Sequence, residues 1–83
     1  MAIEVLYFAA LREQLDCAGE RIDWQAGESI ARLAARLAQV HGEAGTALLD
    51  ASVRAACNQQ LVESDAILED GDEVAFFPPL TGG

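Results

Sequence analysis

Apolar and polar residues alternate at the start of the chain, as they do in a β-strand with one buried face. This alternation, together with β-branched and aromatic residues, predicts a first strand over Ile3–Phe8. One face of it carries Ile3, Val5 and Tyr7, and the other carries Glu4, Leu6 and Phe8. We then expect a short helix over Ala9–Leu15 and a second strand over Arg21–Trp24, with Ile22 and Trp24 inward.

A helical period replaces the alternation between Ser29 and Gly42. Ser29 is a suitable N-cap, and Gly42 suits the left-handed conformation that often ends a helix. The predicted apolar stripe consists of Ile30, Leu33, Leu37 and Val40. The predicted solvated face consists of Arg32, Arg36 and Gln39. His41, in the last turn, interacts favourably with the helix dipole, and we expect a structural role because no catalytic motif accompanies it.

Three further strands are predicted in the second half of the chain, after an irregular segment at residues 43–50. These strands cover Ser52–Cys57, Gln60–Glu63 and Glu73–Phe77, and turns at Asn58-Gln59 and Asp70-Gly71 precede the last two. One main helix packed on a mixed sheet of four to five strands buries these apolar faces economically. We therefore expect one α+β domain over residues 1–77 and a flexible tail over residues 78–83.

Charged residues in the later strands predict which apolar side chains face outward, because charged side chains prefer water. Glu63 places Leu61 on the outer face of the fourth strand, and Glu73 places Phe77 on the outer face of the fifth. The same reasoning turns Val53, Ala55, Cys57 and Val62 inward. We expect Phe77 to be exposed at the root of the tail. Phe77 and Leu61 would then lie on one open sheet face, and the same argument adds Phe8 to it. A contiguous cluster of this kind marks an interaction surface.

The chain of 83 residues carries fourteen acidic side chains against five arginines, with no lysine, and its formal net charge is −9. This charge repels phosphate backbones and argues against nucleic acid as a partner, whereas a basic protein surface would be attracted. The apolar fraction of 52% is sufficient for a small core. No apolar run reaches membrane-spanning length and the amino end lacks the layout of a secretion signal, so we expect a cytoplasmic protein.

The remaining chemistry-bearing residues form no motif for catalysis or metal binding. Cys17 and Cys57 match no zinc spacing, and His41 shows no link in the sequence to either thiol. The acidic turn at residues 69–73 fails as a calcium loop, because apolar residues would occupy two of its ligand positions. We therefore expect structural cysteines, no bound metal and no catalytic machinery within the chain.

The carboxyl end has the sequence Pro78-Pro79-Leu80-Thr81-Gly82-Gly83. Its two prolines favour an extended geometry that directs the segment away from the domain. Glycines can pass through a narrow channel, and the reactive group that they deliver is the α-carboxylate of Gly83. This group is ionised at neutral pH and inert until another enzyme activates it. Although chain termini are often frayed and idle, the uncharged residues that precede the glycines favour a functional tail.

The segments at residues 8–13, 58–62 and 70–83 have sequences that are typical of one known family. With the matching length, they resemble the molybdopterin synthase small subunit family over essentially the whole chain. The most specific part is Phe-Phe-Pro-Pro followed by Gly-Gly, while Cys57 stands where a small aliphatic residue is usual. The resemblance implies a ubiquitin-like β-grasp fold and a sulfur carrier of molybdenum cofactor biosynthesis.

The resemblance also implies partners and residue roles. An E1-like adenylating enzyme would use ATP and magnesium to activate Gly83, and a sulfur-donor protein would help to convert it into a thiocarboxylate. The carrier, which holds no permanent cofactor, would dock on the large synthase subunit in a heterotetramer and donate sulfur to cyclic pyranopterin monophosphate. In this family's scheme Gly83 would carry the sulfur, and Leu61 and Phe77 would contact the large subunit, while Arg12 would face the activating enzyme. The tail residues that would enter the pocket of the large subunit are Pro78, Pro79, Leu80, Thr81 and Gly82.

Three alternatives remain open from the residues alone. The first is a sulfur carrier for thiamine or cysteine biosynthesis, against which the Phe76-Phe77-Pro78-Pro79 segment argues. The second is a ubiquitin-like modifier that forms amide bonds with lysines of target proteins. The third is a binding module whose tail has no function.

Overall fold

The computed structural model describes residues 1–78. Within this range the strands are β1 (Ala2–Tyr7), β2 (Gly19–Asp23), β3 (Arg54–Cys57), β4 (Gln60–Val62) and β5 (Glu73–Phe77). The helices are α1 (Ala9–Leu15), α2 (Ile30–His41) and a 3₁₀ helix (Gly42–Leu49), which occupies the segment predicted to be irregular. The predicted elements are confirmed with small shifts of their bounds. No helix in residues 1–78 combines the length and the apolar character needed to cross a bilayer.

The five strands form one mixed sheet in the order β2-β1-β5-β3-β4. β1 and β5 pair in parallel, whereas the β1–β2, β3–β5 and β3–β4 pairs are antiparallel. The last strand of the chain therefore lies at the centre of the sheet, between β1 and β3. This arrangement confirms the predicted α+β class and gives the upper of the two predicted strand numbers.

One face of the sheet packs against the helices and forms the core. The largest fully buried side chains are Tyr7, Phe76, Ile3, Leu33, Leu37, Leu68, Val5 and Val74. At the start of α2 the Ser29 Oγ accepts a hydrogen bond from the Arg32 amide at 3.2 Å, as an N-cap does. Gly42 ends the helix with φ of 65°, a value that favours glycine. Both predicted helix boundaries are therefore confirmed.

The apolar stripe of α2 differs from the predicted one near its end. Val40 is 65% exposed, so its predicted burial is wrong, and Ala34 and Ala38 are buried instead. The cause is the 3₁₀ helix, which packs against α2 at very short range. A Cβ atom added to Gly45 would lie 2.5 Å from the carbonyl oxygen of Ala38. Only small side chains fit where two backbones approach so closely.

Arg36 is predicted on the solvated face of α2, but the structure pairs it with a buried carboxylate. Its Nε donates to Glu28 Oε2 at 2.9 Å and its Nη2 donates to Glu28 Oε1 at 2.7 Å. The same Nη2 donates to the Asp23 carbonyl at 2.8 Å. Because Glu28 is only 5% exposed, this two-bond pairing compensates for its lost hydration. The pair also ties the end of β2 to α2.

Candidate functional site

The sheet face turned away from α2, called the outer face below, carries an apolar row. The register aligns Leu6 with Ala75, Ala75 with Ala56, and Ala56 with Leu61. In each of the four strands at least one sequence neighbour packs in or against the core, so by strand alternation these four side chains share the outer face. The row crosses four strands and spans about 14 Å at the usual strand spacing. We call these four residues the apolar strip.

Leu61 is the most accessible member of the apolar strip, with 74% of its surface exposed. It lies on the edge strand β4, just after the two-residue turn Asn58-Gln59, whose φ values are 51° and 70°. Two hydrogen bonds of the Asn58 side chain stabilise the turn. Asn58 Nδ2 donates to Asp72 Oδ1 at 2.9 Å, and Asn58 Oδ1 accepts from the Glu73 amide at 3.0 Å. The predicted outward direction of Leu61 is confirmed, and a hydrogen-bonded hairpin holds it there.

Phe77 lies on the outer face, as predicted, but it is only partly exposed. β5 is a central strand, and Arg54 of β3 stands in register with Phe77 on one side. Side chains of a central strand are shielded by neighbours from both flanking strands. Phe77 follows Ala75 by two residues and so borders the apolar strip, about 7 Å farther along β5.

Phe8 and Arg12 lie at the same end of the sheet as Phe77. Phe8 is 45% exposed and precedes α1, and its amide donates to the carbonyl of Phe76 at 3.1 Å. Arg12 is exposed in the last turn of α1, four positions after Phe8. The structure therefore groups Phe8 with Phe77 near the root of the tail, whereas Leu61 is at the far edge of the outer face.

Charged side chains flank the outer face differently at its two ends. At the end away from the tail, Glu4 and Glu73 stand in register, and Arg21 pairs with Glu4 at 3.6 Å. At the tail end the exposed charges include the guanidinium groups of Arg54 and Arg12 and the carboxylate of Glu63, which directly follows β4. An exposed ion pair such as Arg21–Glu4 contributes little to stability. The main effect of this distribution is therefore on the orientation of an approaching partner.

Asp72 organises the turn that precedes β5. Its carboxylate accepts hydrogen bonds from the Glu69 amide at 2.8 Å, Asn58 Nδ2 at 2.9 Å and the Cys57 thiol at 3.3 Å. Burial opposes its charge, but these bonds outweigh burial and hold the pKa of Asp72 below its usual value. Burial, followed by the bond to Asp72, raises the pKa of Cys57 to about 11. The Cys57 thiol is therefore neutral at physiological pH, in agreement with its predicted structural role.

A second polar cluster lies on the core side of the sheet, where Tyr7, Glu20 and His41 meet. The Tyr7 hydroxyl donates to Glu20 Oε2 at 2.7 Å, and His41 Nε2 contacts the same oxygen at 2.5 Å. Burial raises the pKa of Tyr7, and the bond to Glu20 acts in the same direction. Burial also opposes the charge on Glu20, yet the bonds from His41 and Tyr7 prevail and lower its pKa.

Cys17 belongs to this cluster as well. Its Sγ, a Glu20 carboxylate oxygen and a ring nitrogen of His41 all lie within 4.8 Å of one another. The sequence shows no link between His41 and either cysteine, but the fold brings His41 close to Cys17. Cys17 and Glu20 are three positions apart, but His41 is 21 residues beyond Glu20, and the fold brings the last turn of α2 against the loop after α1 and the start of β2.

The tail leaves the sheet at Pro78, which follows β5 directly and is partly buried. Pro79, Leu80, Thr81, Gly82 and Gly83 lie outside the described residues. Their predicted roles, and the division into a domain at residues 1–77 and a tail at residues 78–83, therefore remain predictions.

Sequence reasoning missed three members of the apolar strip, namely Leu6, Ala56 and Ala75. Alternation in β1 already set Leu6 beside Phe8, but the strand order was needed to join it to the other strands. Gly19 was missed too. A Cβ atom there would lie 2.7 Å from the Val5 carbonyl oxygen and 3.1 Å from Leu6 Cδ2. The absence of a side chain at Gly19 thus allows Leu6 to extend over β2.

Known proteins resemble this chain in both sequence and fold. The model of the ThiS family matches residues 5–83. The chain is 42% identical to the molybdopterin synthase sulfur carrier subunit of Escherichia coli (strain K12), in a match that covers 98% of this chain and 99% of that relative. The subunit of the same name from Mycobacterium tuberculosis is 37% identical, with 98% of this chain and 96% of that one covered.

Solved structures agree with the architecture described above. The crystal structure of SAMP1 from Haloferax volcanii superposes with a TM-score of 0.79 at 24% identity, over 100% of both chains. A chain in the protein–protein complex of subunits 1 and 2 of molybdopterin-converting factor from Helicobacter pylori superposes with a TM-score of 0.68 at 26% identity, also over 100% of both chains. These likenesses confirm the predicted ubiquitin-like β-grasp fold. From the full-length matches, this chain belongs to the ThiS family, among relatives that are molybdopterin synthase sulfur carrier subunits.

Proposed function

We propose that this protein is a sulfur carrier of molybdenum cofactor biosynthesis. The observation that carries the proposal is the 42% identity over nearly the full length to a molybdopterin synthase sulfur carrier subunit. The Gly82-Gly83 end of the sequence supplies the chemical group that such a role requires. Its cytoplasmic location stays a prediction.

The sulfur is carried at the α-carboxylate of Gly83. A carboxylate oxygen is a poor leaving group, so an E1-like enzyme with ATP and magnesium first converts the carboxylate into an acyl-adenylate. Sulfide-level sulfur supplied by a donor protein then attacks the acyl carbon, the bond to the AMP oxygen breaks and AMP leaves, so the terminus becomes a thiocarboxylate. The sulfur is more nucleophilic than the oxygen that it replaces, so it can be delivered to cyclic pyranopterin monophosphate. None of these steps requires a catalytic side chain on the carrier.

The carrier presents this terminus to the large subunit of molybdopterin synthase by docking through its outer face. The apolar strip is most exposed at Leu61 on β4 and is bordered by Phe77 and Phe8 on the side of the tail. Six residues from Pro78 to Gly83 span about 20 Å at full extension, which reaches a pocket while the domain stays outside it. Holding the sulfur there makes the transfer effectively intramolecular. Two carriers on a dimer of large subunits form the expected heterotetramer.

Arg12 is assigned to contact with the activating enzyme rather than with the synthase. It lies on α1 and is exposed, beyond Phe8 and outside the apolar strip. The activating enzyme and the synthase therefore use overlapping but different surfaces around the tail. An Arg12→Ala variant should load sulfur more slowly and bind the large subunit normally.

Intact-mass spectrometry tests the proposed function directly. After incubation with ATP, the activating enzyme and a sulfur source, the full chain should gain the mass of one oxygen-to-sulfur exchange, located in the terminal peptide. A variant with one alanine added after Gly83 should remain unchanged in mass and melt at the same temperature. A control with one alanine added before Met1 should load normally. Sulfur loading by the variant extended after Gly83 would contradict the proposal.

The same samples separate the alternative functions. Higher-mass conjugates that survive boiling and thiol reagents would indicate a ubiquitin-like modifier. Loading followed by transfer only to a thiamine or cysteine pathway would indicate another type of sulfur carrier. The likeness to SAMP1 does not favour the modifier, since at 24% identity it shows the fold alone.

A further inference from the structure

Three kinds of metal-ligating atom lie close together in the side chains of Cys17, Glu20 and His41. Cys17 lies in the loop after α1, Glu20 on β2 and His41 at the end of α2. Their sulfur, oxygen and nitrogen atoms lie within 4.8 Å of one another. The docking surface and the sulfur chemistry proposed above use none of these three side chains.

The cluster is reachable from solvent. All three residues are intermediate in exposure, and the side chains of His41 and Glu20 are 16% and 23% exposed. Cys17 is a free thiol that donates to the Gly19 carbonyl at 3.3 Å. A small ion can therefore enter without opening the core.

The carboxylate is already oriented by a second residue. The Tyr7 hydroxyl, on a side chain that is only 1% exposed, donates to Glu20 Oε2 at 2.7 Å. The Tyr7 ring also packs edge-on against His41, with centroids 5.9 Å apart. Groups that orient metal ligands from a second layer in this way strengthen binding.

We propose that Cys17, Glu20 and His41 form a binding site for one zinc-like divalent cation. Zinc favours thiolate, imidazole and carboxylate ligands, and its bond lengths place tetrahedral ligand atoms about 3.3 to 3.6 Å apart. The side chains need to move by only about 1 Å to reach that spacing, with the ion entering between Glu20 and His41. Three protein ligands leave the fourth position to water. On binding, the hydrogen bond between His41 Nε2 and Glu20 Oε2 breaks, and each of these atoms binds the metal only after the proton that they share has left. The Cys17 S–H bond breaks as well, sulfur bonds to the metal, and the released protons pass to the buffer.

Cobalt titration of the full, reduced chain tests this site with a spectroscopic readout. Cobalt alone should produce a near-ultraviolet thiolate-to-cobalt charge-transfer band and saturate at one ion per chain, and zinc should displace it. Cys17→Ser should abolish the band, and His41→Gln should weaken binding by at least about tenfold. Cys57→Ser is the matched control and should keep the band, since that thiol bonds to Asp72 elsewhere.

Alkylation of the unmodified chain tests the same site without relying on variants, which could fail to fold. Zinc at about ten times its dissociation constant should slow alkylation of Cys17 about tenfold and leave Cys57 unaffected, as read by peptide mass spectrometry. The acidic surface can also attract cations weakly, but such binding gives no charge-transfer band. No saturable band, a band that persists in Cys17→Ser, or equal alkylation rates with and without zinc would each overturn the proposal.

Discussion

Truncation of Leu61 offers the sharpest test of the docking surface. Complete burial of a leucine side chain contributes about 1.5 to 3 kcal/mol. Leu61 is 74% exposed in the isolated chain, so docking can bury about three quarters of it. Leu61→Ala should therefore lower the binding free energy for the large synthase subunit by about 1 to 2 kcal/mol, a factor of about 5 to 30 in Kd. Leu61→Arg should lose more, because a guanidinium would be desolvated without a partner.

Isothermal titration calorimetry against the large subunit measures this effect, with thermal melts as the test of folding. Because Leu61 is on an edge strand and largely in water, either variant should change the unfolding free energy by no more than about 0.5 kcal/mol. Ile67→Ala is the matched control, since Ile67 is 60% exposed but pairs with Ser29 at the start of α2. An unchanged Kd for Leu61→Ala, or an equal loss for Ile67→Ala, would refute docking through the outer face.

Three further predictions concern packing and protonation. Gly45→Ala should lower the unfolding free energy by about 1 to 3 kcal/mol in thermal or denaturant melts, because its Cβ atom would meet the α2 backbone at 2.5 Å. The lowered pKa of Glu20 adds stability above its ordinary value of 4.5 that is lost as the pH falls through the folded-state value. Glu20→Gln should thus melt lower at pH 7 and show a flatter acid decline, and a decline as steep as in the unmodified chain would contradict this. Cys57, with its pKa near 11, should alkylate slowly at pH 8, and Asp72→Asn should speed that reaction.

The fold was predictable because its signals are local. Alternation in β1, the helical period with caps at Ser29 and Gly42, and the Asn58-Gln59 turn each depend on a few neighbouring residues. The contacts that failed prediction are long-range. Val40 is exposed because the 3₁₀ helix approaches α2 elsewhere, at Gly45, and no local pattern indicates that approach.

The docking surface was partly predictable for the same reason. Alternation determines to which face Leu61 and Phe77 belong, but not which strands are neighbours. The central position of β5 reduces the exposure of Phe77, and the register adds Leu6 to the surface. The link between Cys17 and His41 depends on the tertiary fold in the same way, since no spacing rule connects them.

The central position of β5 has a mechanical consequence for the segment that follows it. A pull on Pro78 acts along β5, whose backbone bonds to β1 on one side and to β3 on the other. Both ladders must shear together before the strand can slide, whereas an edge strand would peel away one bond at a time. Force applied to the terminus is therefore spread across the middle of the sheet. The domain can be drawn against a partner and released again without unravelling.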